Sequence, residues 1–230
     1  MLLTTGKSIR RMTLAGTVIF GLLAGVTFAE EPVADPDPAR FEEFIQNFVA
    51  HDTKNSFPEN AILFVGSSSV RFWATAEAFP DKQIINRGFG GSHMSDLIHY
   101  YETVVKPYKP SKVFIYEGDN DIGSGKSAER VVADFETFFK RAQADLPDTQ
   151  FLVLAIKPSK LRWEKWAAME QANEMIREYT NRDADLVYVD VASPLLGDDG
   201  KPKDVFVEDG LHLNKAGYEL WRDTVAPYLE

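Results

Sequence analysis

The sequence has no cysteine in 230 residues. Disulfides, a lipid-modified cysteine and thiolate metal sites are therefore excluded, and stability has to come from the core. Histidine is scarce as well, with four copies. They are scattered, at His51, His93, His99 and His212, so the sequence gives no support for a structural zinc site. Basic residues are few, 25 Lys plus Arg against 35 Asp plus Glu, a formal charge of −10. That balance argues against nucleic acid as a partner and gives little attraction to an anionic membrane surface. Beyond residue 29 no apolar run is long enough to span a membrane or to form a lipid-covering lid.

The apolar residues that are present fall into two patterns. Lys7, Arg10 and Arg11 precede an apolar stretch from Leu14 to Phe28, followed by Thr27-Phe28-Ala29 at a small-residue exit. A charged start, an apolar middle and a small-residue end describe a secretory signal peptide over residues 1–29. Gly16, Gly21 and Gly25 make the stretch a poor spanning helix, so cleavage is expected and the mature charge becomes −13. The product is expected to be secreted or periplasmic, with no stable membrane insertion. Residues 30–38, EEPVADPDP, read as an acidic, proline-rich tether.

From residue 39 onward the pattern changes to that of one globular domain, 39–230. Five short apolar runs recur at Ala61–Val65, Gln83–Asn86, Lys112–Glu117, Phe151–Ile156 and Leu186–Val191. Each is nearly continuous rather than alternating, as strands buried on both faces are. Helical spacing fills Ala39–Ala50 and the intervals at Val70–Ala78, Met94–Lys106, Ala128–Ala144, Trp163–Thr180 and Lys215–Tyr228. Strands alternating with helices predict an α/β fold, a three-layer α/β/α sandwich on a five-stranded parallel sheet. In such sheets, sites form at the carboxyl ends of the strands.

The residues just past those ends carry chemistry. Gly66-Ser67-Ser68-Ser69 enters a helix, where a hydroxyl beside the helix start meets positive potential. A plain Ser N-cap is the competing reading. Asn86-Arg87-Gly88-Phe89-Gly90-Gly91-Ser92-His93 offers backbone N–H groups at a flexible turn. It does not match a dinucleotide fingerprint, because His93 replaces the last glycine. Glu117-Gly118-Asp119-Asn120-Asp121 supplies an amide donor in Asn120. Its two Asp side chains are too few for a calcium loop. Asp209 and His212, three apart before the last helix, allow a carboxylate to orient an imidazole.

Taken together, these segments resemble the SGNH (GDSL-type) hydrolases, over roughly Ala61 to the C-terminus. The resemblance implies a flavodoxin-like α/β/α fold and ester hydrolysis with no cofactor and no metal. It implies Ser68 as nucleophile, Asp209 and His212 as its catalytic partners, and an oxyanion hole from Ser68, Gly91 and Asn120. Gly90 is the neighbouring alternative to Gly91. Ser67 stands where the family has Asp, so any contribution of that carboxylate is lost. An exported serine esterase acting on small acyl or acetyl esters, acetylated carbohydrates included, is the expected function. Lysophospholipase or thioesterase activity is the alternative within the family. A non-catalytic anion- or glycan-binding domain is the alternative outside it. An α/β-hydrolase is disfavoured because Val70 breaks the G-x-S-x-G elbow.

Other residues receive plainer readings. Arg71, Phe72 and Trp73 are taken as packing and surface residues, and Trp163 and Trp166 as a buried helix face. His93 is a candidate substrate contact, and Lys157 to Lys160 a candidate lining of the site.

Overall fold

A computed structural model describes residues 1–3 and 33–230. The expected leader lies almost wholly outside the described residues, and the fold below concerns 33–230. Among the described residues no helix is long and apolar enough to cross a membrane.

The chain runs through α1 (Glu42–Asp52), β1 (Ile62–Gly66), α2 (Ser68–Arg71), α3 (Thr75–Ala78) and β2 (Ile84–Gly88). It continues through α4 (Met94–His99), α5 (Tyr101–Val104), β3 (Lys112–Tyr116), α6 (Asp119–Gly123) and α7 (Ala128–Asp145). Then come β4 (Gln150–Leu154), α8 (Trp166–Thr180), β5 (Leu186–Val189) and α9 (Lys215–Val225). All strand pairs are parallel, in the order β2-β1-β3-β4-β5, the flavodoxin-like order. The predicted fold class and all five strands are therefore present, with ends shifted by one or two residues.

The apolar runs lack alternation because both faces of the sheet are covered. All five residues of β1 are buried. Leu63 and Val65 join the core shared with α1, α4, α5, α7 and α8, whereas Ile62 and Phe64 join the opposite core, closed by Trp73 and α9. Successive side chains of one strand thus serve two cores, as the period of two requires. Phe64 faces Phe114 across the β1–β3 register and stacks on it with ring centroids 4.6 Å apart.

Several expected helices differ in detail. The stretch expected at Val70–Ala78 breaks into α2 and α3, separated at Phe72-Trp73-Ala74, where Trp73 turns into the core. Met94–Lys106 is likewise split at Tyr100, and Trp163–Thr180 opens with one 3₁₀ turn. The acidic lead-in is no free tether from Val33 onward. Asp35 pairs with the Lys126 ammonium at 2.6 Å and with Arg130 at 2.5 Å, and the Asp37 carboxylate accepts from the Ala39 N–H.

Candidate active site

The carboxyl end of β1 turns sharply into α2, and the turn has an absolute steric requirement. Gly66 has φ +128°, and a Cβ there would sit 2.1 Å from the Tyr116 carbonyl oxygen of the neighbouring strand. The turn lifts Ser68 to the first position of α2. Ser67, the residue before it, is buried, and its side chain makes no capping bond to the helix. The N-cap reading of the serine run is therefore not realised by a hydroxyl. With only four residues, α2 also has little macrodipole to offer, so the expected help from the helix start is small.

On the opposite side of the cleft, the segment before α9 carries His212 and Asp209. The Asp209 carboxylate accepts from the N–H groups of Leu211 and His212 at 2.8 and 2.9 Å, which folds the segment back on itself. Its other oxygen lies 2.6 Å from His212 Nδ1. His212 Nε2 is 2.9 Å from Ser68 Oγ. The imidazole, with its two nitrogens so engaged, bridges a carboxylate and a hydroxyl separated by more than 140 residues of chain. The His212 hydrogen bonds, with the backbone N–H groups, hold the Asp209 carboxyl down at about 2. Phe72 stands edge-on to the imidazole with centroids 5.1 Å apart. It is not the plain surface residue that the sequence suggests.

The other expected residues converge on the same end of the sheet. Gly91 has φ +87°, and a Cβ there would meet nothing within 4 Å, so its backbone faces open space. No described carbonyl accepts from the N–H of Ser68 or of Gly91. Asn120, at the start of α6, donates one amide hydrogen to the Ser92 carbonyl at 2.9 Å. Its second amide hydrogen stays free to bind another acceptor.

What the sequence did not reveal is how Asn120 is held. Arg162 Nη2 donates to Asn120 Oδ1 at 3.0 Å, and Arg162 Nη1 donates to the Asp119 backbone oxygen at 2.9 Å and to Asp119 Oδ1 at 2.5 Å. A flipped amide would put N–H against the guanidinium, so Arg162 fixes which end of Asn120 points where. Gly123 makes room for this. A Cβ on it would lie 2.8 Å from the guanidinium carbon. Beneath, Lys157 is fully buried with Nζ 2.6 Å from Asp119 Oδ2, and the Tyr116 hydroxyl donates to the same oxygen at 3.0 Å. Burial alone would raise the Asp119 carboxyl. Lys157 and Arg162 more than offset that and hold it below the usual range. The expected lining role of Lys157 is thus replaced by support from below.

His93 does not face the cleft. It is buried, with Nδ1 3.6 Å from Asp121 Oδ1, and its backbone N–H donates to the Asp96 carboxylate at 2.8 Å. Burial lowers its pKa against the opposing pull of Asp121. Trp163 and Trp166 stack on each other with centroids 6.2 Å apart but are only half-buried, while Met169 and Ala172 fill the core. Among the described residues no cluster of His, Asp and Glu is arranged to hold a metal ion.

The parallel α/β/α sheet thus carries a Ser–His–Asp line at its carboxyl edge. Residues 66–220 match the GDSL-like lipase/acylhydrolase family. The chain belongs to that family, whose members cleave esters. No curated protein matches. Among solved structures, the chain is similar to one from Streptococcus pneumonia, provisionally described as a platelet activating factor. The two share 28% identity, 84% of this chain and 94% of that one are covered, and the TM-score is 0.74. A GDSL-like lipase from Bacteroides thetaiotaomicron has a TM-score of 0.69 at 16% identity, covering 80% of this chain and 96% of its own. An acetylxylan esterase from Geobacillus stearothermophilus has a TM-score of 0.61 at 14% identity, covering 76% and 95%. At such identities the last two are likenesses of fold.

Proposed function

We propose that the protein is an exported serine esterase that hydrolyses small acyl or acetyl esters through a covalent acyl-enzyme. The observation that carries this reading is the unbroken line from Asp209 through His212 to Ser68, with steps of 2.6 and 2.9 Å. An anion-binding domain has no use for that line, whereas ester cleavage requires it.

In the proposed reaction His212 Nε2 takes the Ser68 proton as Oγ attacks the ester carbonyl. The negative charge that develops on the carbonyl oxygen is met by the Ser68 and Gly91 N–H groups and the free Asn120 amide hydrogen. Collapse of the tetrahedral intermediate breaks the bond to the alcohol, which leaves with the proton from His212. A water then gives its proton to His212 and attacks the acyl-enzyme, and Ser68 is regenerated with release of the acid. Asp209 holds Nδ1–H throughout and stabilises the imidazolium.

Support for a small substrate comes from the sequence, which beyond residue 29 carries no long apolar insertion to cover the site. The likeness to an acetylxylan esterase agrees with an acetylated glycan. Support for export comes from the charged and apolar pattern of residues 1–29. One observation favours longer acyl groups. The exposed Phe72, Leu161 and Val207 all border the triad, the first on the His212 ring, the second bonded to Gly210 and the third to the His212 carbonyl.

The test is hydrolysis of nitrophenyl esters of increasing acyl length by the purified protein and by Ser68→Ala. Loss of about 10⁴-fold or more in the variant is expected, and equal trivial rates in both would sink the reading. A rate maximum at two to four carbons supports small esters, and one at eight or more moves the assignment to lysolipids. Asn120→Ala is expected to cost on the order of 10²–10³ in kcat with modest change in KM. An unchanged kcat would remove it from the oxyanion hole.

A further inference from the structure

Of the nine arginines among the described residues, seven sit on a carboxylate. Arg71 and Arg182 do not. Arg182 is an exposed residue following α8. Arg71 closes α2, three residues after Ser68, and its guanidinium is held in place without an ion pair. Its Cζ lies 4.7 Å from the centroid of the Phe44 ring and 5.6 Å from that of Phe72. Two aromatic faces therefore fix the group in position while leaving its N–H donors unspent.

The position matters. A Cβ built on Gly90 would lie 3.2 Å from Arg71 Nη1 and 3.5 Å from Ser68 Cβ. The guanidinium and the serine thus flank the same small space above Gly90, which only the lack of a side chain at residue 90 leaves open. Phe72, one wall of the stack, also touches the His212 ring. The cation is therefore part of the mouth of the site.

A chain with ten more acidic than basic residues repels anions at long range. A fixed cation with unspent donors beside the nucleophile reverses this locally. A guanidinium presents paired N–H donors that match a carboxylate or phosphate. We propose that Arg71 is a specificity-determining residue that binds an anionic group, carboxylate or phosphate, carried by the substrate close to its scissile ester. This rests on the esterase reading of Ser68 and narrows its substrate class to acidic esters.

The experiment compares matched ester pairs. For an anion on the acyl side, the pair is the 4-nitrophenyl monoester of succinate against 4-nitrophenyl butyrate. For one on the alcohol side, it is 4-acetoxybenzoate against phenyl acetate. The wild type is expected to favour the anionic member of at least one pair by roughly tenfold or more in kcat/KM. That ratio should collapse towards one in Arg71→Gln and be partly kept in Arg71→Lys. Arg182→Gln, which removes the same charge elsewhere, should leave it in place. Ratios of one or below in both pairs, or a preference that survives in Arg71→Gln, would overturn the proposal.

Binding to Ser68→Ala by calorimetry separates this from failure of the esterase reading. Tighter binding of the anionic member, lost on adding Arg71→Gln, supports the site even if no ester is turned over. Equal binding of both members removes it even if neutral esters are cleaved.

Discussion

The two walls of the proposed active site are built by opposite means. The Asp209–His212 wall is an exposed loop held by local bonds: Asp209 is half-exposed and accepts from the backbone only two and three residues ahead. The Asn120 wall is made of buried ions from distant segments, with Lys157 and Arg162 converging on Asp119 from about forty residues away. The difference teaches where precision resides. A proton-transfer group can sit in water and be aimed by one carboxylate. An amide that must present one particular face needs a rigid, desolvated support, because nothing in its own chemistry tells its two ends apart sterically.

The sharpest way to break this contrast is at the exposed wall. Asp209→Asn is expected to lower kcat by up to about 10⁴-fold by giving His212 the wrong tautomer, with little change in melting temperature. Steady-state kinetics beside calorimetric melting checks both halves. The pH profile sharpens it further. The Asp209 carboxyl is depressed to about 2, so its charge is fully present above its ordinary value near 4 and is lost only as the pH falls through about 2. Activity lost at milder acidity therefore reports another group.

Next in size is the buried wall. Arg162→Met should lower kcat about tenfold by freeing the Asn120 amide to flip, equivalent to about 1.4 kcal/mol of transition-state stabilisation. KM should change little, and Arg162→Lys should rescue only in part because it lacks the fork. A purely structural role would instead lower the melting temperature and leave kcat per folded molecule unchanged.

The smallest effect concerns Glu117, buried two residues before Asp119 but with no cation of its own. Burial, and then the Asp121 charge, push its carboxyl well above the usual range, partly countered by the Ser92 hydroxyl at 2.5 Å. A raised folded-state pKa gives stability that is full below the unfolded value and is lost as the pH rises towards the folded one. Glu117→Gln should therefore match the wild type in acid and gain in melting temperature as the pH rises to neutrality. A gap that shrinks with rising pH would contradict the assignment of a neutral Glu117.

These contrasts also explain what was legible in the sequence. The strands could be read because burial on both faces leaves continuous apolar runs such as Ile62-Leu63-Phe64-Val65. The Asp209–His212 pair could be read because its geometry is local. Arg162 could not, because its partners are 42 and 43 residues away and its own neighbours look like loop. His93 misled for the converse reason: proximity in sequence to Gly91 says nothing about which way the ring turns. The break between α2 and α3 was hidden because Trp73 fits a helical pattern yet is drawn into the core.

The docking of Asp35 on Lys126 has a practical consequence. That ammonium is fully buried and also serves Asp121, the carboxylate that accepts from the Met94 N–H at the start of α4. An expression boundary placed after residue 35 would uncover one side of this cation and weaken the seat of the helix that follows the Gly90-Gly91 turn. Recombinant production should therefore begin upstream of Asp35.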